Sequence, residues 1–191
     1  MKKRIRMQGA LVFGAFFLVI FFSKGMFSHW ENKFLDESLD AAGIAFLLFG
    51  FLFRIAARGY KEEETDSGNK LVTTGPYAIV RNPMYFGTLM IGIGAVLVLL
   101  KPWAILVFAL GFLIIYAPQI RKEESILLNK FKEQYSDYRK KIPKYFPSIK
   151  ALFNLQNYIS IKVSWIKKEI ISLISVLAVI FIMELWFIWR V

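Results

Sequence analysis

Arg81 stands between two tyrosines, Tyr77 and Tyr85, and each tyrosine follows a turn dipeptide, Gly75-Pro76 and Asn82-Pro83. A residue before proline is pushed away from helix, so the chain must turn twice within about ten residues. The second turn leads straight into an apolar run beginning near Met84, with Pro83 suited to the first helical turn and Asn82 to its cap. Free backbone N–H groups at a helix start, with an arginine and two phenols beside them, suit a small-molecule cradle. The plainer reading is a capped loop whose arginine meets the membrane surface, since X-Pro caps are common at helix starts.

A second group with chemical potential lies in Gln119–Pro147. Ile120, Leu127, Phe131, Tyr138 and Ile142 recur at helical spacing and form one apolar face. At 100° per residue Glu124 falls inside that stripe and Glu123 on its margin, with Arg121 on the opposite margin. A carboxylate on an apolar face requires a partner. The partner is either Arg81 or Arg121 in a salt bridge, or the ammonium or hydroxyl groups of a ligand. Arg139–Lys141 through Lys150 reads as a solvated, lipid-facing charge run, and Glu169, on the approach to the last apolar segment, is expected to take no part in the site.

The elements that position these groups are apolar. The chain has 191 residues, 57% hydrophobic and 17% aromatic, with a mean hydropathy of +0.49, which is too apolar for a soluble domain. The absence of cysteine excludes disulfides, thiolate metal sites and a cysteine nucleophile, and the single histidine, His29, cannot build a multi-histidine metal site. The expected fold class is all-α: a polytopic helical membrane protein of about five transmembrane helices, with a helical hairpin and a cytoplasmic amphipathic helix. The expected spans are Gln8–Trp30, about Leu39–Ala57, about Met84–Leu100, Pro102–Ala117 and about Ile170–Trp189. The third and fourth are short and joined only by Lys101-Pro102, hence the hairpin. Ala10–Phe22 after four basic residues also resembles a signal peptide, but the apolar face continues to Trp30, which favours a retained span. One membrane domain covers 1–191: the first two spans in 1–60, the motif region in 61–150, and a basic linker with an additional span in 151–191.

Orientation follows from the basic residues. With the N-terminus cytoplasmic, segments 1–9, 54–85 and 119–168 hold 21 of the 25 Lys and Arg. This positive-inside bias accounts for the net charge of +11 through anionic lipid rather than nucleic acid. The expected location is an integral membrane, the plasma membrane in a prokaryote, with the motif loops cytoplasmic and the C-terminus outside. Gly92-Ile93-Gly94-Ala95 lies in an apolar helix with no preceding strand, so it serves helix packing rather than a dinucleotide loop; Gly43 and Gly50 read the same way. Glu184, near Trp186, Trp189 and Arg190, reads as interfacial.

The two chemical stretches together carry a resemblance. Asn-Lys-Leu-Val-x2-Gly-Pro-Tyr-x3-Arg-Asn-Pro-Met-Tyr-x-Gly, a Lys-Pro hairpin, then Glu-Glu-x3-Leu-x2-Phe-x3-Tyr-x2-Tyr-x4-Pro and Phe-Pro is similar to the isoprenylcysteine carboxyl methyltransferase family. Phospholipid N-methyltransferases share its plan. The match covers about Asn69–Pro147. It implies S-adenosylmethionine bound at the cytoplasmic face of a helical membrane domain without a Rossmann fold. By that resemblance the cofactor contacts fall on Asn69, Lys70, Leu71, Val72, Tyr77, Asn82, Pro83, Met84, Tyr85 and Glu123. The expected catalytic set is Arg81, Arg121 and Glu124, with Arg81 or Arg121 orienting an anionic group of the acceptor. Two positions depart from the pattern. Asn82 stands where the family usually has histidine, and Gln119 where eukaryotic members have an arginine that handles the substrate carboxylate.

Methyl transfer from a sulfonium is an in-line displacement, and alignment with exclusion of water supplies most of its catalysis. The expected partners are the lipid bilayer and a lipophilic or small methyl acceptor, with no nucleic acid and an undetermined oligomeric state. The competing class is a non-catalytic membrane scaffold or lipid-binding protein that retains the fold, which the Asn82 and Gln119 departures favour. A transporter finds little support in a chain with no internal repeat and no string of intramembrane charges.

Overall fold

The computed structural model describes residues 33–100, 103–147, 151 and 162–188. The first expected span, its signal-peptide alternative, His29, the Lys101-Pro102 joint and the side chain of Glu184 lie outside the described residues.

Every regular element among the described residues is helical: α1 (Lys33–Glu64), a 3-10 turn (Asp66–Gly68), the single-turn α2 (Pro76–Ile79), α3 (Pro83–Leu99), α4 (Ala104–Lys141) and α5 (Val163–Ile188). The all-α expectation is thus met. Two helices, α1 and α4, are long and apolar enough to cross a membrane, while Pro83–Leu99 and Glu169–Met183 are shorter apolar stretches.

α3 is central. It is apolar almost all round, and α1, α4 and α5 all pack on it. Its seam with α1 consists of glycines. A Cβ at Gly50 would lie 2.7 Å from the Gly87 carbonyl, and one at Gly94 would lie 2.5 Å from the Gly43 carbonyl. The two backbones therefore approach more closely than any side chain permits, the packing role expected of Gly43, Gly50 and Gly94. Gly92 admits the Phe108 ring of α4 instead.

α1 begins with Asp36 in its first turn and ends with Lys61 in its last, each complementing the helix dipole. It runs past its expected apolar limit at Ala57, so Arg58, Glu62 and Glu63 stand on the same rigid rod as the span.

α4 differs from expectation. The fourth span runs on into the amphipathic helix expected after it: Ala104–Lys141 covers 38 residues, with the exposed Pro118 inside it and a break at Lys132 that divides it into two helical segments. The uninterrupted segment 104–131 extends roughly 42 Å at 1.5 Å per residue, beyond the hydrocarbon core. Pro118 removes one backbone hydrogen bond where the helix passes from the apolar run to the charged one, and propagation on both sides carries it through. The apolar stripe survives: Ile120 and Tyr138 are buried, and so is Tyr135, which the stripe had omitted although it lies four residues after Phe131. A local break at Lys132, with φ of 43°, bends the helix near this point.

α5 lies across α1 and α3. Leu173, Val176 and Ile180 meet Leu47, Phe51 and Ile91, and Met183 joins Val96, Leu99 and Ala104. Trp165 covers Gly59 and donates from Nε1 to Glu63 at 2.8 Å. Outward faces of α1, α4 and α5 carry Ile44, Leu48, Leu106, Leu110, Ile114, Ile171 and Phe181, all exposed. Such a continuous apolar exterior is the surface of a membrane protein.

Candidate active site

The proline turns and the C-terminal half of α4 meet at one corner. α2 is a single turn with Pro76 at its start, entered through Gly75 at φ 59°, a left-handed value that glycine takes without strain. The extended Val80 that follows carries the chain to Arg81 and Asn82. Beyond the end of α4 the chain folds back over them: Arg81 N donates to the Pro143 carbonyl at 2.9 Å, and Tyr138 Oη donates to the Tyr77 carbonyl at 2.7 Å.

Asn82 occupies the N-cap position of α3, and its side chain makes no capping bond. The carbonyl of Asn82 accepts from the Tyr85 and Phe86 amides. Its side-chain amide nitrogen donates instead to Glu124 Oε1 at 3.2 Å and to the Lys144 carbonyl at 3.1 Å. The capping expectation for Asn82 is therefore corrected: the carboxylate and carbonyl across the corner compete successfully for its only donor group.

Glu124 is fully engaged within the protein. Arg81 Nη1 lies 3.5 Å from its Oε1 and Lys144 Nζ lies 2.8 Å from its Oε2. The partner expected from the apolar stripe is thus Arg81, and Lys144 joins it. Lys144 departs from the solvated charge run to which it was assigned, because the turn after Ile142 brings it back over Glu124. Tyr135 closes the group from below. Burial first, and then the Glu124 charge, push its hydroxyl up to about 12, partly opposed by the neighbouring Arg81 guanidinium.

Glu123 is different. Tyr85 Oη donates to its Oε1 at 2.8 Å and Gln119 Nε2 donates to the same atom at 3.1 Å. Oε2 has no protein partner among the described residues. Beside it Tyr85 packs edge-on against Tyr116, with ring centroids 5.5 Å apart, and Tyr116 continues into Phe112 at 4.5 Å. Arg81 Nε is buried without a partner. The corner therefore offers an open carboxylate oxygen for hydroxyl or ammonium groups, an orphaned guanidinium N–H for an anionic group, and aromatic faces between them.

The other expected residues divide. Pro83 is fully buried, and Val72 and Tyr77 pack with Ala57 in a small core against which Met84 lies. Tyr77 thus presents its carbonyl to Tyr138 while its ring stays buried. Asn69 and Lys70 are exposed, Lys70 paired with Glu64 at 2.6 Å; Leu71 is half-buried. Arg121 is exposed and joins none of these contacts, so the structure brings Arg81, Asn82, Tyr85, Glu123 and Glu124 together and leaves Arg121 out.

Behind the corner is a charge cluster that the sequence reading missed. Glu169 of α5, expected to be a bystander, is 1% exposed and pairs with Arg54 at 3.1 Å and Arg58 at 2.8 Å. Arg54 also donates to Thr88 at 2.6 Å. The available signal was a glutamate four residues after Trp165, on the same helical face. No three His, Cys, Asp or Glu side chains are grouped as metal ligands among the described residues.

Comparison with known proteins overlaps most of the expected Asn69–Pro147 match and stops short of its end. The sequence profile described as phospholipid methyltransferase matches residues 37–134. The rat protein-S-isoprenylcysteine O-methyltransferase is 32% identical over 135 residues, covering 64% of this chain and 48% of its own length. The cobalt-zinc-cadmium resistance protein CzcN of Cupriavidus metallidurans is 31% identical over 145 residues, covering 75% of this chain and 64% of its own. The chain spans about half the length of the rat and mouse methyltransferases it matches. No solved structure matches it.

Proposed function

The chain belongs to the phospholipid methyltransferase family, and from that premise we propose that it is an integral membrane methyltransferase that uses S-adenosylmethionine on a lipophilic or small acceptor. The observation that carries this reading is Glu123, held by Tyr85 and Gln119 through one oxygen while the other takes no hydrogen bond among the described residues. The donor bears an ammonium, a carboxylate, ribose hydroxyls and a sulfonium. The open Glu123 oxygen and the orphaned Arg81 N–H fit such a mixture of groups.

When bound, the cofactor would supply a methyl group on a cationic sulfur. Glu123 would anchor hydroxyl or ammonium groups, and Arg81 would orient a carboxylate of the cofactor or of the acceptor. Glu124 would act one step back. Clamped by Lys144 and Asn82, it would fix Arg81 in position rather than touch the reacting atoms. The tyrosine rings would exclude water and favour the sulfonium electrostatically. An acceptor with an apolar tail would approach from the bilayer between helices.

The same reading places five spans in the membrane, the N-terminus and motif loops in the cytoplasm and the C-terminus outside, supported by 21 of the 25 Lys and Arg falling on the cytoplasmic side. Cysteines introduced at Ser67 and Ser136 should both resist impermeant labelling of intact cells. Calorimetry of S-adenosylmethionine against the detergent-solubilised protein, followed by incubation of membranes with radiolabelled donor, tests the activity. Saturable binding and a labelled membrane product are expected. Binding without any labelled product would favour a scaffold that has kept the fold.

A further inference from the structure

Arg54 leaves α1 through the gap that Gly87 opens, since a Cβ at Gly87 would lie 2.5 Å from Arg54 Cγ. Its guanidinium then divides its donors. Nη1 donates to Thr88 Oγ1 at 2.6 Å, Nη2 to Glu169 Oε2 at 3.1 Å, and Nε is buried without a partner. Arg54 is 11% exposed and Glu169 1%. A guanidinium can only donate, so the Thr88 hydroxyl accepts from it and directs its own proton elsewhere. That proton goes to the Met84 carbonyl at 2.9 Å.

A buried arginine carries a heavy desolvation penalty, which a purely packing role would avoid with leucine. Here the charge is spent on the first turn of α3. Apart from Tyr85, Thr88 is the one polar side chain in Pro83–Leu99, and it joins Arg54 to the carbonyl of the residue directly before Tyr85. The chain of contacts Glu169, Arg54, Thr88, Met84 therefore ends one residue from the phenol that holds Glu123.

We infer that Arg54, with Glu169 as its counter-charge, is a positioning residue that sets the first turn of α3 so that Tyr85 holds Glu123 toward the cofactor. α5 lies beyond the family-matched residues 37–134; through Glu169 it becomes part of the support of the site. The inference rests on the reading of Glu123 as a cofactor contact.

The test uses full-length protein in detergent with Thr88→Val, Thr88→Ser, Arg54→Lys and, at the outer anchor of α5, Glu63→Ala. Three quantities are measured: amide exchange in the Asn82–Met90 peptide, S-adenosylmethionine affinity, and Tm. Thr88→Val and Arg54→Lys should speed exchange at the Tyr85 and Phe86 amides about tenfold and weaken affinity about three- to tenfold, the scale of one ordinary hydrogen bond felt at the site through its support. Thr88→Ser should restore both. Glu63→Ala should lower Tm and leave exchange and affinity unchanged. Unaltered exchange in Thr88→Val overturns the inference. So does faster exchange with unaltered affinity, because the turn is then braced without serving the site. If the unmodified protein binds no S-adenosylmethionine, the functional reading fails, and exchange alone decides whether Arg54 sets the turn that carries Tyr85.

Discussion

Tyr85 and Glu123, 38 residues apart in sequence, are joined by a 2.8 Å hydrogen bond from phenol to carboxylate. The bond links the two stretches that sequence alone singled out, and it leaves one carboxylate oxygen of Glu123 without a hydrogen bond among the described residues.

Glu123→Gln keeps the shape and an acceptor but removes the charge. S-adenosylmethionine affinity should fall by about 1.5–3 kcal/mol, roughly tenfold to somewhat over a hundredfold, while Tm moves little because Glu123 is only half-buried. Lys122→Gln, exposed on the neighbouring position, serves as the control. Equal losses in both variants would mean that general charge near the membrane, rather than a contact, governs binding.

Asn82 separates a cap from a cradle. Serine and aspartate are good caps, yet neither reproduces an amide that donates to both Glu124 and the Lys144 carbonyl. Asn82→Asp sets a carboxylate against Glu124 and should cost about 1–3 kcal/mol of stability with a loss of affinity. Asn82→His, which retains a ring N–H, should remain the most active of the series and gain a pH dependence near neutrality. Melting temperature and cofactor affinity measured across the series check this; neutral Asp and Ser variants would restore the capping role.

Much of this corner was legible before any coordinates. The turn dipeptides, the apolar stripe with Glu124 in it and the glycine positions each follow from local rules, and each is where it was expected. What sequence did not disclose depends on contacts distant in the chain. The destination of the Asn82 amide is set by Lys144, 62 residues away, and the burial of Glu169 by Arg54, 115 residues away. Helical continuity through Pro118 was also hidden, since proline locally signals an end and only the helix on both sides overrides it. Arg121 shows the converse: spacing placed it on the margin of the stripe, and α4 turns it to solvent.

The glycine seam sets how closely α1 and α3 approach. Gly50→Ala places a methyl 2.7 Å from the Gly87 carbonyl and 2.8 Å from Ile91, forcing the helices apart at a cost of about 1–3 kcal/mol. Gly111→Ala meets nothing within 4 Å and should be neutral or stabilising by about 0.5–1 kcal/mol through helix propensity. The thermal unfolding midpoint in detergent should therefore fall for Gly50→Ala and hold steady or rise for Gly111→Ala. A Gly50→Ala protein as stable as its parent would show that the helices part without cost.

Tyr135 makes the fold sensitive to alkali. Its hydroxyl is buried under the Arg81–Glu124 pair and holds its proton up to about 12, against 10.0 for the free side chain. Burial is the larger cause, the Glu124 charge the second, and Arg81 opposes both. Tyr138, donating to the Tyr77 carbonyl, is pushed up still more strongly, again chiefly by burial. A group that binds its proton more tightly when folded supports the native state fully below its unfolded value. As pH rises past about 10 the unfolded chain sheds the proton while the folded chain keeps it, so stability declines until the folded group also ionises near 12. Unfolding measured by chemical denaturation between pH 9 and 12 should show this decline (about the range set by the two values). Tyr135→Phe should remove one proton from the slope, and Tyr138→Phe a second, although the latter also gives up the bond to Tyr77. A slope identical in Tyr135→Phe and the parent would mean that Tyr135 ionises equally in both states and is open to water, which the packing of Arg81 over it forbids.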